Sequence, residues 1–354
     1  MCDFSSYGGP SEEWLAVERT LPSLTFDLSQ DPSVLKRTVN DGREQLAKKQ
    51  METLTPQVHI LNHSIPTRNN SSIEAHSYRL SSKKASERLP VYIHFHGGGF
   101  LFGSLSSEDA TCARIAINIG VVVVNVNYRH TPEFTFPTAW EDSQDAFSWV
   151  HSHIDEIGGD KEKVVVGGIS AGGQLASSLL LEQHLGKALQ NAPKPAGQIL
   201  MIPCLAHIDT YAPQLEKLKD PSISSYVENE NAPVLPKRTI RFFVDLLKTG
   251  TPDVRDTKLN PGNATPEEVK WMPPAVFGIA GLDPLRDEGL LYAKMLAEAG
   301  VPTDVSLFKG VPHGFRRFGD QLGACARWDE VVERGILWAL EKPMASGKFE
   351  VKVL

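Results

Sequence analysis

Short strand-like and helix-like segments succeed one another along most of this chain. Residues 57–65 and 72–80 alternate apolar and polar positions, which is typical of half-buried antiparallel strands. Further apolar runs predict buried strands at 90–96, 121–126, 164–166, 197–204, 274–280 and 303–308. Helical patterns lie between these strands, at 106–119, 140–154, 174–181, 287–299 and 326–340. This alternation predicts an α/β fold with an eight-stranded, mostly parallel sheet and helices on both faces.

Two stretches break the alternation. Residues 1–50 are polar, with apolar residues at helical spacing, and Asp31-Pro32 marks the start of a helix. Residues 206–268 are rich in Pro, Asn, Asp and Glu and contain a predicted helix at 237–247. An insertion of this length between two strands is more typical of a lid than of a loop. We therefore expect a main domain of residues 51–205 and 269–354 and a helical cap of residues 1–50 and 206–268.

The composition indicates which partners and which cellular compartment to expect. The net charge of −7 over 354 residues argues against nucleic acid or an anionic membrane as the main partner. The four cysteines are widely spaced, which fits reduced thiols better than a disulfide framework. The N-terminal residues lack the basic and apolar regions of a secretory signal, and no apolar run approaches a membrane span. We expect a cytoplasmic protein without stable membrane association.

A glycine-rich turn between a predicted strand and a predicted helix is the strongest single signal. Residues 168–172 read Gly-Ile-Ser-Ala-Gly, a G-x-S-x-G sequence that holds Ser170 at a helix N-terminus. Glycine two positions to either side lets strand and helix approach where a Cβ would clash. Taken alone, the pentapeptide also fits a glycine-rich turn with a solvated serine, so the other motifs decide between the two interpretations.

Three further polar motifs follow predicted strands. The sequence His-Gly-Gly-Gly at 96–99 ends one strand, Asp283 follows a second, and His313 follows a third. Open α/β sheets bind ligands at the carboxyl ends of their strands, so these motifs are expected to lie close to Ser170. The order Ser, Asp, His along the chain is the order of an α/β-hydrolase triad.

Each of these residue types suits one role in nucleophilic catalysis. An imidazole, with an ordinary pKa near neutrality, can take the proton of a weakly nucleophilic serine hydroxyl. A carboxylate fixes the tautomer of that imidazole, and backbone N–H groups in a glycine-rich loop can stabilise an oxyanion because no Cβ intervenes. We therefore predict a triad of Ser170, His313 and Asp283. We also predict an oxyanion hole formed by the N–H groups of Gly98, Gly99 and Ala171.

Structural interpretations compete with the catalytic ones. A histidine, a glycine run or an Asp-Pro pair at a strand end is usually structural when it stands alone, and here it is their joint occurrence that favours catalysis. Asp287 is the alternative to Asp283, although its position favours a helix-stabilising role. Tyr128-Arg129 and Glu141-Asp142 are candidates for a structural ion pair. No metal or cofactor is expected, since no histidine pair has a carboxylate or cysteine at ligand spacing and the glycine loop lacks a P-loop lysine.

The motifs together resemble the hormone-sensitive-lipase-like family of α/β hydrolases. HGGGF, NYRHTPE, GISAGG, GLDPLRDEG and HGF carry this resemblance across about residues 90–315. It implies a cofactor-independent serine carboxylesterase of α/β-hydrolase fold, with a lid from the N-terminal helices and the insertion before Pro274, and it supports the predicted triad and oxyanion hole. Two positions depart from the family pattern. Ile169 stands where most relatives carry Asp, and His130-Thr131 stands where most carry Leu-Ala.

The expected activity is hydrolysis of small apolar or aromatic carboxylic esters through an acyl-enzyme. A natural-product lactonase or lyase using the same site is an alternative, and a non-catalytic receptor of the same fold is disfavoured by the presence of His313. The sequence leaves a homodimer open. The predicted lining of the substrate pocket comprises Phe100, Phe102, Leu205, Phe315 and, from the lid, Tyr226 or Trp14.

Overall fold

The computed structural model describes residues 1–22, 24 and 26–354. Residues 23 and 25, which fall within the predicted N-terminal part of the cap, lie outside the described residues. The strands are β1 (Val58–Pro66), β2 (Ser72–Leu80), β3 (Leu89–Phe95), β4 (Val122–Asn127), β5 (Gly159–Ile169), β6 (Gly197–Met201), β7 (Ala275–Leu282), β8 (Thr303–Pro312) and β9 (Lys352–Val353). Across the described residues they form one nine-stranded sheet in the order β1-β2-β4-β3-β5-β6-β7-β8-β9.

The sheet confirms the predicted fold class. β1 pairs antiparallel with β2, and β2 pairs antiparallel with β4. The remaining neighbours, from β4 through β3 to β9, are parallel. The two-residue strand β9 extends the eight predicted strands at the β8 edge, and so short a segment carries no periodicity that a sequence pattern could reveal.

The helices account for the predicted helical segments. They are α1 (Glu12–Glu18), α2 (Pro32–Leu54), α3 (Leu105–Ile119), α4 (Thr138–Ser152), α5 (Ala171–His184), α6 (Ala212–Leu215), α7 (Ser225–Glu228), α8 (Lys237–Leu247), α9 (Pro266–Val269), α10 (Arg286–Glu298) and α11 (Gly323–Leu340). Short 3₁₀ segments lie at Ser5–Tyr7, Thr55–Gln57, Ile208–Thr210, Pro221–Ile223, Pro261–Asn263 and Phe315–Gln321. None of the described helices has both the length and the apolar character needed to span a bilayer.

Helix α2 starts where the sequence predicts and extends past residue 50. The Asp31 side chain caps it by accepting the N–H groups of Ser33 and Val34, and Pro32 occupies the first turn. The helix continues without a break to Leu54. It therefore crosses the boundary after residue 50 that we expected between cap and main domain.

Helices cover both faces of the sheet, and the sheet separates two hydrophobic clusters. Successive residues of β4 alternate between them: Val122, Val124 and Val126 belong to the first cluster and Val123 to the second. Residues of α4, α5 and α10 complete the first cluster, and residues of α3 and α11 complete the second. All four valines are fully buried, as is the single polar residue between them, Asn125, so the strand is apolar at every position from 122 to 126 except that one.

A buried ion pair fixes the segment after β4 to helix α4. The Arg129 guanidinium donates to both carboxylate oxygens of Asp142, with Nη2 at 2.6 Å from Oδ1 and Nε at 3.0 Å from Oδ2. The backbone N–H of Arg129 also donates to Oδ2 at 2.9 Å. Asp142 is completely buried, so the pair replaces its lost hydration with three donor contacts.

Replacing Asp142 with Asn is expected to lower the free energy of unfolding by about 3 kcal/mol, because it leaves the mostly buried Arg129 cation without a counter-charge. Urea denaturation followed by circular dichroism measures this change. Asp145→Asn is the control, since its partner Arg68 is 41% exposed and such a pair contributes at most about 1 kcal/mol. Equal losses in the two variants would contradict the structural role assigned to Asp142.

Candidate active site

The G-x-S-x-G turn brings β5 and α5 into contact at distances that only glycine permits. A Cβ on Gly168 would lie 2.3 Å from the carbonyl carbon of Gly172. A Cβ on Gly172 would lie 1.9 Å from the carbonyl oxygen of Phe95 in the neighbouring strand β3. Ser170, between them, has φ 54° and ψ −115°, a strained conformation for a residue with a Cβ. The turn therefore holds the serine at the start of α5.

The structure brings the three predicted triad side chains together above the sheet. Nε2 of His313 lies 3.0 Å from Oγ of Ser170. Nδ1 of the same imidazole lies 2.7 Å from Oδ2 of Asp283. Oδ1 of Asp283 accepts the N–H of Leu285 at 2.9 Å, which fixes the carboxylate. Ser170, His313 and Asp283 are all buried, so little of this hydrogen-bonded chain is exposed to bulk water.

Asp287 lies apart from this chain of hydrogen bonds. Its Oδ1 accepts Nε of Arg286 at 2.9 Å, and its Oδ2 accepts the N–H of Ser225 at 2.7 Å. Burial raises the pKa of the Asp287 carboxyl even though the neighbouring Arg286 favours its charged form. Asp287 thus joins α10 to α7, in agreement with the helix-stabilising role that the sequence favours for it.

Asp283→Asn is expected to reduce kcat about 10⁴-fold, because an amide no longer selects the imidazole tautomer that can accept the serine proton. Asp287→Asn is expected to cost about 3 kcal/mol of stability instead, by leaving the buried Arg286 with one carboxylate fewer. Steady-state kinetics and urea denaturation of both variants separate the two effects. Equal losses of kcat would contradict the assignment of Asp283.

The loop after β3 places two glycines beside the serine. Gly98 and Gly99 have φ values of 143° and 62°, which side chains rarely tolerate. The Gly98 carbonyl accepts the N–H groups of Leu101 and Phe102, which closes the loop into a tight turn. Within the described residues, the N–H groups of Gly98, Gly99 and Ala171 have no protein acceptor. All three are thus free to donate to a bound oxygen atom.

Helix α2 holds this loop from outside, a role that the sequence did not predict. The Asn40 side chain exchanges two hydrogen bonds with the backbone of Gly103, at 2.8 and 3.1 Å. Oε1 of Glu44 accepts the Ser104 hydroxyl at 2.6 Å. These contacts join positions about 60 residues apart in the chain, and polar residues on an exposed helix carry no signal of such a partner.

Two buried histidines lie beneath the loop. Nε2 of His96 lies 3.2 Å from Nε2 of His130, and the Tyr128 hydroxyl donates to the His96 carbonyl at 2.8 Å. Burial lowers the pKa of His96 to about 4, and burial also lowers the pKa of His130 well below its ordinary value. Both imidazoles are therefore neutral at pH 7, and one can donate to the other.

Stability is expected to fall as the pH drops from about 6.5 to 4. In this pH range the unfolded chain binds protons at these two histidines and the folded chain does not. A pKa difference like that of His96 lowers the free energy of unfolding by roughly 3 kcal/mol at the acid end of the range. His130→Leu, with the residue that the family resemblance implies, should reduce this loss because it removes one buried imidazole. Urea denaturation at pH 7 and 4 measures it, with the exposed His59→Leu as control. Acid sensitivity unchanged by His130→Leu would contradict the account.

A cavity of about 170 Å³ opens next to Ser170 and His313. Phe100 and Phe102 line it as predicted. Leu205, Tyr226 and Phe315 do not belong to its lining in the described part of the chain, and neither does Trp14. The cavity is nevertheless mainly apolar.

Each of these four residues is packed elsewhere. Leu205 lies in the core, where its N–H donates to the buried Glu288 at 2.6 Å. Tyr226 packs edge-to-face against Tyr211, with ring centroids 4.5 Å apart. Phe315 packs against Trp328 at 5.3 Å, and Trp14 packs against Phe318 at the same distance. Proximity to a motif in the sequence does not determine on which side of the backbone such a residue packs.

Helix α8 supplies lining residues that the sequence analysis missed. Four apolar residues on one face of it reach the cavity, at spacings of three, one and three positions: Ile240, Phe243, Val244 and Leu247. That spacing is an amphipathic signature visible in the sequence. Phe26, from the segment before α2, lies on the cavity as well.

Ile169, one of the two departures from the family pattern, also lines the cavity. It borders a second, much smaller cavity behind the turn as well.

Among the described residues, no group of three or more His, Cys, Asp or Glu side chains is placed to hold a metal ion.

Comparison with known proteins extends these observations. A family model described as alpha/beta hydrolase fold matches residues 92–317. The chain is similar to Esterase LipI of Mycobacterium tuberculosis (strain ATCC 25618 / H37Rv), with 34% identity over 255 residues, 70% of this chain and 71% of that protein. It is also similar to Ethyl acetate hydrolase of Pseudomonas putida, with 30% identity over 280 residues, 78% of this chain and 80% of that protein.

A solved structure has a similar overall fold. The crystal structure of vibralactone cyclase superposes with a TM-score of 0.85 and covers 97% of this chain and 98% of its own. The sequences are 24% identical, so this similarity concerns the fold alone.

Proposed function

Because this chain belongs to the hormone-sensitive-lipase-like family of α/β hydrolases, and its relatives over most of its length are carboxylesterases, we propose that it hydrolyses small apolar or aromatic carboxylic esters through an acyl-enzyme. The observation that carries the proposal is the hydrogen-bonded chain from Ser170 through His313 to Asp283, at 3.0 and 2.7 Å. Such a chain is what an activated serine nucleophile requires.

Each group in the proposed mechanism has one task. Oγ of Ser170 attacks the ester carbonyl carbon while Nε2 of His313 takes its proton. The N–H groups of Gly98, Gly99 and Ala171 stabilise the resulting oxyanion. His313 returns the proton to the leaving alcohol, which leaves an acyl group on Ser170. A water molecule then gives a proton to the same imidazole and attacks the acyl carbon. His313 returns that proton to Oγ of Ser170 as the bond to the acyl carbon breaks and the carboxylic acid leaves.

Residues 1–50 and 206–268 are proposed to act as a cap that shapes the substrate pocket. Phe26 from the first segment and Phe243 from the second line the same cavity as Ser170, which supports this role. A Cβ on Gly99 would lie only 2.3 Å from Cδ2 of the Phe243 ring, so α8 packs directly on the oxyanion loop. A cap in this position favours short acyl chains over long ones.

Turnover of 4-nitrophenyl esters of increasing acyl length tests the proposal. The highest kcat/KM is expected for short acyl chains, with a decline once the chain exceeds what a cavity of about 170 Å³ admits. A γ-lactone assayed in parallel tests the lactonase alternative. Hydrolysis of the lactone but of no ester, or a steady rise of kcat/KM with acyl length, would contradict the proposal.

A further inference from the structure

The charge of the active-site cavity differs in sign from that of the whole chain. The chain carries a formal net charge of −7. The lining of the cavity nevertheless contains two guanidinium groups, Arg43 and Arg317, against one carboxylate, Glu108. A chain with an acidic surface repels anions at long range, so two cations at its active site call for a local explanation.

Arg43 projects from α2 to the oxyanion loop. Its Nη1 donates to the Gly97 carbonyl at 3.3 Å, and its guanidinium lies over the Phe102 ring, 5.7 Å from the centroid. Both contacts hold the charge beside the cavity without neutralising it. Glu108 attracts the Arg43 charge but forms no ion pair with it in the described part of the chain, and its Oε2 contacts Nε2 of His94 at 3.4 Å.

Arg317 approaches from the other side of the site. It follows His313 by four residues, and its Nε donates back to the Gly314 carbonyl at 3.1 Å. Arg317 is exposed and Arg43 is partly exposed, so both reach the cavity and solvent, which places them at the mouth. Each guanidinium has five N–H donors, and each gives one to a protein acceptor among the described residues. The remaining donors are free for a ligand.

We propose that this site selects esters that carry a second, anionic group, which Arg43 and Arg317 bind at the mouth while the ester carbonyl faces Ser170. The proposal deepens the esterase function and rests on it. A carboxylate is the simplest such group, because a guanidinium can donate two parallel N–H bonds to its two oxygens. The anion is carried either by the acyl part or by the alcohol part of the ester.

Two pairs of esters test the proposal, and within each pair one methyl group converts the anionic carboxylate into a neutral methyl ester. In the first pair the acyl part carries the charge: 4-nitrophenyl hydrogen adipate is compared with methyl 4-nitrophenyl adipate. In the second the alcohol part carries it: 3-acetoxybenzoate is compared with methyl 3-acetoxybenzoate. The measured quantity is the ratio of kcat/KM for the anionic ester to that for the neutral ester, corrected for spontaneous hydrolysis.

In at least one pair the wild-type ratio is expected to favour the anion by about tenfold, as charge-assisted hydrogen bonds allow. It should fall at about 0.5 M NaCl, because charges at an open mouth are screened. The Arg43→Gln/Arg317→Gln double variant is expected to lose the preference, and Arg43→Lys/Arg317→Lys to retain part of it. Arg37→Gln, an exposed arginine on the same helix outside the cavity lining, is the matched control and should leave the ratio unchanged.

Equal kcat/KM values for the two esters, or a higher value for the neutral ester, in both pairs would overturn the inference while leaving the esterase function intact. A preference for the anion that survives in the double variant would also overturn it, since the arginines would not be its cause. Absence of hydrolysis of all four esters would overturn the proposed function, and the inference with it.

Discussion

Ser170→Ala is expected to abolish ester hydrolysis, with kcat reduced about 10⁴- to 10⁶-fold. The substitution removes the nucleophile and retains the Cβ, so the strained backbone at φ 54° and the packing of the turn are unaffected. Circular dichroism and the urea midpoint should therefore match those of the wild type. Kinetics with a short-chain 4-nitrophenyl ester measure the loss.

Combining this change with a second one tests whether the residues act together. His313→Ala alone should cost about as much as Ser170→Ala, and the double variant should lose nothing further, because a nucleophile without its base is no better than none. Losses that multiply in the double variant would show that the two side chains act independently, contrary to the mechanism.

Gly98→Ala is expected to reduce kcat about 100-fold or more, the usual cost of losing an oxyanion donor. Its Cβ would lie 2.1 Å from the Phe102 carbonyl oxygen, a backbone atom that cannot move without the loop, and φ at 143° adds strain. The loop must shift, which displaces the N–H groups beside Ser170. The loss should appear in kcat more than in KM, since the oxyanion exists only along the reaction path.

Gly42→Ala provides the matched control for this substitution. Gly42 lies within α2, and nothing lies within 4 Å of the position of its Cβ. Alanine there should leave kcat unchanged and raise stability by up to about 1 kcal/mol, because glycine is a poor helix former. A Gly98→Ala variant as active as Gly42→Ala would contradict the role given to the loop.

The sequence predicted the fold and the candidate triad because their requirements are local. The glycines of the G-x-S-x-G motif are required within a single turn, because at position 172 only a residue without a Cβ fits beside the Phe95 carbonyl. The valines of β4 are buried on both faces of the sheet, and a strand buried in this way shows in the sequence as a mainly apolar run. Strand ends of a parallel sheet then converge whatever their separation in the chain, and His313 and Asp283 indeed lie within hydrogen-bond distance of each other.

The substrate pocket could not be predicted in the same way. Phe315 follows a motif histidine by two residues, yet it packs into the core beside Trp328, because the direction of a side chain depends on the tertiary packing. Arg43 reaches the cavity from a helix that precedes the sheet in the chain, and no local pattern joins it to Gly97. The apolar face of α8 was within reach of sequence reasoning, since its spacing is regular.

Labelling with a covalent phosphonate tests the central claim most directly. The active protein is incubated with a 4-nitrophenyl alkylphosphonate, digested and examined by mass spectrometry, with Ser170→Ala as control. The account predicts one alkylphosphonyl group on Ser170, acquired in step with loss of activity and absent from the variant. Inactivation with the group on another residue, or full activity after prolonged incubation with no adduct at Ser170, would contradict the account.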